Sequence, residues 1–324
     1  MTPTASGTGA GLSSVLGARA LQALLVAIVV GIVSFAMMQA LPGDAAFRIA
    51  AGRYGYDMMN AASAEAVRVE LGLDRPLLVQ LGSWLWSLAQ FDMGRSLVTG
   101  APVVDEIAHQ LGASLLLAGV AITVSILIAL PVGIASGLNP GGLVDRTTLA
   151  ISVGIRALPI FALAVLLILV LAIQIKLLPV AGFDRIEHLV LPSLTLGLSL
   201  AAVSNRVVRD AVVEAMTTDW HHFARTKGLS QRITLLRHVA RNAAVPVVAY
   251  VGVQLAFLIE GVVIIESVFA WPGIGHALVH AIFQRDVPMV QGTALTLGLL
   301  YVLLNLIIDL ICRGLDPRGA ESAA

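Results

Sequence analysis

The chain has 324 residues, of which 58% are apolar and only 12% are charged. Because an ordinary soluble domain carries about 25% charged residues, this composition excludes a typical soluble fold and indicates a membrane protein. The formal net charge is zero, so nothing indicates nucleic acid as a partner, and the one cysteine excludes an intrachain disulfide.

Long uncharged runs recur along the chain. A helix rises about 1.5 Å per residue, so roughly 20 apolar residues cross the hydrocarbon core of a bilayer. We therefore expect six transmembrane helices: Ala20 to Leu41, Leu111 to Leu138, Ala157 to Ile175, Leu189 to Asn205, Ala243 to Ile265 and Val287 to Ile308. A signal peptide is the alternative for the first run, but its apolar region would be only about 7–15 residues long, so we expect a retained span.

Basic residues are distributed unevenly between the connections. If the N-terminus lies inside, the short outer connections hold only Lys176, Arg185 and Arg285. The inner connections hold Arg19, Arg146, Arg206, Arg209, Arg225, Lys227, Arg232, Arg237, Arg241, Arg313 and Arg318. This bias predicts that both termini are cytoplasmic, with a flexible tail at residues 1–19 and a second tail at residues 313–324.

The segment at residues 42–110 lies outside the membrane in this topology. It mixes apolar and polar residues at helical spacing, and Trp84 and Trp86 suit the boundary between headgroups and acyl chains. We interpret the segment as a small extracytoplasmic cap on the outer face of the membrane. A soluble loop with a tryptophan core is the alternative.

A basic stretch interrupts the apolar chain between residues 214 and 246, "EAMTTDWHHFARTKGLSQRITLLRHVARNAAVP". It predicts two short helices separated at Gly228, a residue suited to the left-handed turn that ends a helix. In the first helix Trp220 and Phe223 can share a face, and Arg225 and Lys227 fall in the last turn, where cations suit the helix dipole. The pattern indicates a helical hairpin, although an interfacial loop anchored to lipid through its arginines would also fit.

This stretch resembles the EAA loop of permease subunits of ABC importers, in the dipeptide, oligopeptide and nickel transporter family. The matching positions are Glu214, Ala215, Asp219, Ala224, Arg225, Lys227, Gly228, His238, Arg241, Asn242, Ala243 and Pro246. The resemblance extends to "LGLDRPLLVQ", "FDMGRS", "PVVDEI", "VLPSLTLG" and "ESVFAWPGIGHALVHAIFQRDVPMVQG". It covers roughly residues 40–318.

The resemblance implies an all-α membrane protein: a first transmembrane helix at 20–41, the cap at 42–110, and a permease core at 111–312 with the EAA loop at 210–243. It also implies a second homologous permease, two cytoplasmic ABC ATPases and an extracytoplasmic substrate-binding protein as partners in the inner membrane. The residues expected to couple to the ATPases are Glu214, Ala215, Asp219, Trp220, Phe223, Ala224, Arg225, Lys227, Gly228 and Arg237.

The chain lacks the motifs of common catalytic sites. Neither of its lysines lies in a G-x-x-x-x-G-K-[ST] phosphate loop, so we expect no enzymatic activity and no cofactor on this chain, with ATP and Mg on the partner ATPases. His276 and His280 are four residues apart, a spacing that can chelate a metal. Since no third ligand is evident nearby, we interpret them as surface histidines.

Charged residues inside or beside the spans are candidates for the translocation path, because charges are costly in lipid. Glu260 falls in the outer half of the fifth span and Arg156 at the inner edge of the third. One hypothesis is that Glu260 faces the path and favours a cationic group. The alternatives are that Glu260 pairs with a partner subunit and that Arg156 extends to the headgroups.

The substrate is the property that the sequence determines least. The resemblance favours di- or oligopeptides, with nickel or another metal chelate as the alternative. An ATP-independent secondary transporter is a rival from another class, but the inverted repeats and paired mid-membrane charges that would indicate one are not evident.

Overall fold

The computed structural model describes residues 12–40, 43–54, 60–70, 72–219, 223, 226–227, 240–284 and 286–315, and over these residues the chain is helical. The helices are α1 (Leu12–Ala40), α2 (Ala45–Tyr54), α3 (Ala61–Glu70), α4 (Leu77–Ala89), α5 (Val103–Leu138), α6 (Leu143–Ala157), α7 (Ile160–Leu167), α8 (Glu187–Thr217), α9 (Ala240–Val268), α10 (Ile274–Gln284) and α11 (Val287–Leu315). A π-helical segment, Ile168–Gln174, continues α7. The described part of the chain contains only one isolated β-bridge, between Arg95 and Pro102.

Four of the described helices are long and apolar enough to cross a membrane, and the number rises to six if each of two bent pairs forms one span. The four are Ser14–Met37, Val103–Leu138, Glu187–Thr217 and Val287–Gly314. The bent pairs are Leu143–Ala157 with Ile160–Gln174, at 106°, and Pro246–Ile259 with Gly261–Val268, at 46°. The prediction of an all-helical protein with several membrane spans is confirmed. The predicted number of spans, six, is the largest number that the described helices allow.

The first helix begins earlier than the sequence suggested. We expected a flexible tail over residues 1–19, but α1 starts at Leu12, so the second part of that segment is helical. Leucine and alanine in this part favour the helix, and a helix that has begun extends at low cost. The expectation of a flexible tail is therefore wrong from Leu12 onward.

A break at Leu158 separates α6 from the helix that covers the third predicted span, Ile160–Gln174. Arg156 lies in the last turn of α6, and Leu158 then adopts an extended conformation (φ −89°, ψ 131°) before Pro159. The proline ring disfavours helical geometry in the residue before it, so the chain turns here. Arg156 is an exposed residue of α6 and directly precedes the apolar helix Ile160–Gln174, so it stands at one edge of that helix, as expected.

The chain divides into two compact units, one built around Leu115–Trp271 and the other from Ala18–Ser114 and Pro272–Val302. In the first unit α8 is the central helix and packs against α6, α7 and α9. A glycine lets α5 approach α8 closely, since a Cβ atom added to Gly133 would lie 2.6 Å from the carbonyl oxygen of Asn205. The close approach leaves little freedom in the position of α8.

The second unit contains the described part of the predicted cap. The indole N–H of Trp84, in α4, donates to the carbonyl oxygen of Gly31 in α1 at 3.2 Å, whereas Trp86 is exposed. No side chain of α4 is fully buried. The tryptophans therefore do not form a closed core of their own.

Candidate functional site

The predicted coupling residues begin on the last turn of α8. Glu214 is exposed and Ala215 is buried. Ala215 belongs to an apolar cluster with Val208 and Val212, against which Leu138 and Val247 pack. Because the cluster fixes the C-terminal turns of α8, the coupling segment starts from a firmly held helix.

Beyond α8, the described residues of the segment from Asp219 onward are exposed. The Thr218 hydroxyl donates to the carbonyl oxygen of Ala215 at 2.7 Å, and Asp219 follows on the surface. Phe223 is 59% exposed, and the Nζ atom of Lys227 lies 4.5 Å from the centre of its ring. The Lys227 N–H donates to the carbonyl oxygen of Phe223 at 3.1 Å, a helical hydrogen bond. An exposed aromatic ring covered by a cation is a surface suited to a protein partner.

The other residues predicted for coupling lie outside the described part of the chain: Trp220, Ala224, Arg225, Gly228 and Arg237. The turn at Gly228 and the second helix of the hairpin therefore stay predictions. The structure does not test the surface that these residues form.

A buried carboxylate fixes the half of α8 that precedes the coupling segment. Asp145 is 6% exposed. Its Oδ1 atom accepts from Arg206 at 2.8 Å, and its Oδ2 atom accepts from Arg209 at 3.0 Å and from the Gly141 N–H at 2.9 Å. Arg209 also donates to Asp210 at 2.8 Å. Because both arginines lie on α8, Asp145 ties the start of α6 to that helix through charged hydrogen bonds.

Hydrogen bonds from two neutral side chains add to this attachment. The Asn205 amide donates to the Ser152 hydroxyl of α6 at 3.0 Å. The Gln254 amide of α9 donates to the Leu200 carbonyl oxygen at 2.9 Å and to the Ser204 hydroxyl at 2.5 Å. The helix that leads into the coupling segment is thus bound to α6 and α9 along its length, so a force on the segment would be passed to both neighbours.

Sequence reasoning did not find the ion pairs that Asp145 forms with Arg206 and Arg209. A signal was present, because Arg206 and Arg209 are three residues apart and share one face of a helix. Asp145 is an acidic residue in the predicted inner connection before the third span, where the arginines of the next inner connection can reach it.

The two residues proposed for the translocation path are Arg156 and Glu260, and their role in it stays a prediction. Arg156 is exposed in the last turn of α6. Glu260 lies within α9, and its side chain is outside the described part of the chain. The hypothesis that Glu260 faces the path stays a prediction.

The two histidines of α10 meet edge to face. The ring centroids of His276 and His280 are 4.5 Å apart. Burial lowers the pKa of His276 below its ordinary value, and the neighbouring His280 lowers it further, so His276 is neutral at pH 7. Among the described residues, no group of three His, Cys, Asp or Glu side chains could hold a metal ion.

Comparison with known families identifies the class of this helical membrane protein. Residues 129–320 match the family "Binding-protein-dependent transport system inner membrane component", and residues 13–118 match the N-terminal model of such membrane components. The chain belongs to this family and is a membrane-embedded permease subunit of an ABC importer. The family acts with ATPase subunits and a substrate-binding protein, and its permeases are in general not enzymes.

Similar proteins extend over nearly the whole chain. The glutathione transport system permease protein GsiC of Pectobacterium atrosepticum is 36% identical over 90% of this chain and 93% of its own length. A putative peptide transport system permease protein of Brucella abortus is 36% identical over 93% of this chain and 96% of its own length. GsiC of Escherichia coli K12 is also 36% identical, over 89% of this chain and 93% of its own length.

Proposed function

We propose that this chain forms half of the translocation path of an ATP-driven importer for di- or oligopeptides. The observation that carries the substrate class is the 36% identity, over about nine tenths of the chain, to permeases named for glutathione and peptide transport. In this proposal a second homologous permease forms the other half of the path. Two ATPases bind on the cytoplasmic side, where both termini lie, and hold ATP and Mg, and a binding protein delivers substrate from outside the inner membrane.

Coupling to ATP hydrolysis requires a contact whose strength differs between the states of the ATPases. We assign this contact to the segment after α8. Phe223 and Trp220 would enter a groove on an ATPase, and Arg225, Lys227 and Arg237 would meet acidic residues at its rim. The pairing of Asp145 with α8 supports the assignment, because a movement of the segment would then be transmitted to α6 instead of being absorbed by a loose helix end.

The assignment is tested by co-purification with the full chain as bait. The double variant Gly228→Pro, Arg225→Glu places proline at the predicted turn and reverses one rim charge. We expect it to retain the second permease and to lose the ATPase, and Phe223→Ala alone to weaken ATPase capture by about tenfold, the size of a modest interface contact.

The matched control is Arg75→Glu, which makes the same charge reversal at an exposed position before α4. It should capture ATPase at the unmodified level. If the double variant still captures ATPase, the coupling assignment is wrong. If the unmodified chain transports without any ATPase, then this chain departs from the mode of action of its family.

The substrate class is tested separately, with the assembled importer and its binding protein in proteoliposomes. We expect ATP-dependent uptake of labelled dipeptides, tripeptides or glutathione, and no ATP-dependent uptake of nickel. Nickel uptake without peptide uptake would overturn the substrate assignment and leave the coupling assignment untouched.

In the same assay, Glu260→Gln should slow the uptake of cationic peptides more than that of neutral ones if Glu260 faces the path. Equal rates would remove that hypothesis.

A further inference from the structure

The connection between α7 and α8 has no helix of its own, yet contacts to the end of α9 fix its shape. The Gly182 N–H donates to the carbonyl oxygen of Phe269 at 3.2 Å. The Phe183 ring meets the ring of Trp271 edge to face, with centroids 4.8 Å apart. Trp271 is 2% exposed, so it is a rigid support. The connection therefore has a defined conformation and packs against the rest of the first unit.

A second set of contacts orders the end of the connection that leads into α8. The Arg185 N–H donates to the Nδ1 atom of His188 at 3.2 Å. The His188 ring lies over Gly182, whose φ of +133° suits glycine, and a Cβ atom there would be only 2.9 Å from the Nε2 atom of the ring. Because Nδ1 accepts this hydrogen bond, Nε2 carries the proton of the neutral ring.

A hollow of about 480 Å³ opens in this connection. Its walls include Lys176, Arg185, Glu187 and His188 on the polar side and Leu178 and Val180 on the apolar side. Two cations face one carboxylate, so the lining has a positive balance. The volume is within the usual range of small-molecule pockets.

The two cations have no partner among the residues that the structure describes: no hydrogen bond or ion pair of either side chain occurs there. Lys176 adopts a φ of +58° just after the helix that ends at Gln174, and the Leu177 N–H donates to the carbonyl oxygen of Leu171 at 2.9 Å, so the backbone of Lys176 closes this helix. An unpaired lysine and an unpaired arginine that line one hollow indicate a site for an anion.

The surroundings of the hollow identify the kind of anion. The connection joins the apolar helix that ends at Gln174 to α8, a candidate span, so it lies at the membrane surface. Large apolar side chains stand exposed around the cations, with Leu177 at 69% and Ile186 at 80%. Cations interleaved with exposed apolar groups suit the boundary where phosphate lies above acyl chains. A small soluble anion would use only the cations and would leave the apolar groups in water.

We propose that this hollow binds one phospholipid with an anionic headgroup. The phosphodiester lies between Lys176 and Arg185, and the beginning of an acyl chain covers Leu177 and Ile186. The site does not depend on the substrate of the importer, and it gives the permease a dependence on the lipid composition of the membrane.

The test uses the full chain purified in detergent, with lipid binding followed by native mass spectrometry. The probes are dioleoyl phosphatidylglycerol and dioleoyl phosphatidylcholine. Each basic side chain near a membrane surface contributes about a fivefold gain in affinity for anionic lipid, so the double variant Lys176→Gln, Arg185→Gln should bind phosphatidylglycerol about 25-fold more weakly. Binding of phosphatidylcholine should not change.

Two control variants exclude indirect effects. Lys176→Arg with Arg185→Lys keeps both charges and should retain phosphatidylglycerol. Arg75→Gln removes an exposed cation elsewhere and should also retain it. All the substituted residues are exposed, so the unfolding temperature in detergent should stay within experimental error of the unmodified chain.

Two further arms distinguish a lipid from a soluble anion. Inorganic phosphate and glycerophosphoglycerol, the headgroup without acyl chains, are added as competitors. The proposal expects neither to displace the lipid at equal concentration, because each lacks the apolar contact. Displacement by either competitor, or unchanged phosphatidylglycerol binding by the double glutamine variant, would overturn it.

Discussion

Two buried aspartates, Asp145 and Asp286, are satisfied by different kinds of donor. Asp145, in the first unit, is held by two guanidinium groups and one backbone N–H. Asp286, in the second unit, is 2% exposed, and among the described residues all of its hydrogen-bond donors are neutral. The Ser96 hydroxyl donates to it, as do the backbone N–H groups of Leu97 at 3.1 Å and Met289 at 3.3 Å.

The two sets of donors give the two carboxylates different roles. Asp286 stands just before α11 and accepts from an N–H of its first turn, so it caps that helix and fastens the loop that contains Ser96. Asp145 instead compensates positive charge on α8, and its removal would break the ion pair of Arg206 and leave Arg209 with only the exposed Asp210 as a partner among the described residues. One carboxylate depends on hydrogen-bond geometry, and the other depends also on its charge.

The isosteric change Asp145→Asn should have the largest effect. The asparagine amide group would meet donors on both sides, and the charge that balances Arg206 and Arg209 would be lost. Breaking a buried ion pair costs about 3–5 kcal/mol, and we expect about 3 kcal/mol because both arginines stay partly exposed, at 23% and 22%. Thermal unfolding in detergent measures the stability, and ATP-driven uptake by the assembled importer should fall at the same time.

A second variant of the same residue is the control for the role of the charge. Asp145→Glu keeps the charge with a longer side chain and should retain more stability than Asp145→Asn. If the asparagine variant were as stable as the unmodified chain, then packing alone would hold α8, and the contrast with Asp286 would be lost.

Packing against α8 is tested by Gly137→Ala in α5. The added Cβ atom would lie 2.8 Å from the Cβ atom of Val212 and 2.9 Å from the carbonyl oxygen of Arg209. Such overpacking costs about 1–3 kcal/mol, so we expect a loss of about 2 kcal/mol. Gly119→Ala, in the same helix but with nothing within 4 Å, should be neutral or slightly stabilising. Equal behaviour of the two variants would contradict the close packing.

The sequence predicted the helical spans and the family because both depend on local signals, namely uncharged runs and short motifs. The break at Leu158 was also within reach, since Pro159 disfavours a helix before it. The ion pairs of Asp145 were harder to predict, because Arg206 and Arg209 lie 61 and 64 residues away and only the packing of α6 on α8 brings them close to Asp145. The role of Ser96 was out of reach for the same reason, since Asp286 is 190 residues away.

In the second unit, Ser96→Ala should have a smaller effect than either change above. The hydroxyl of Ser96 donates to Asp286 and accepts from the N–H groups of Val98 at 3.2 Å and Thr99 at 3.1 Å. Buried groups left without a partner cost about 1–3 kcal/mol, but two backbone donors of Asp286 persist, so we expect about 1.5 kcal/mol. Thermal unfolding measures it, and Ser96→Thr, which keeps the hydroxyl, serves as the control. A loss equal to that of Asp145→Asn would mean that neutral donors hold a carboxylate as strongly as guanidinium groups do.

The isosteric change Asp286→Asn should have the smallest effect and decides the comparison. Its remaining carbonyl oxygen can accept from Leu97 and Met289 in place of Oδ1, so both backbone donors keep their hydrogen bonds. The Ser96 hydroxyl loses its acceptor, because its oxygen already accepts from Val98 and Thr99 and cannot take a further donor. The loss of this one hydrogen bond costs about 1 kcal/mol. Asp286→Ala, which removes all of these acceptors, should cost several times more in the same thermal unfolding measurement. If Asp286→Asn were as damaging as Asp145→Asn, then the charge of Asp286 would be essential too, and an unmatched cation would have to lie close to it.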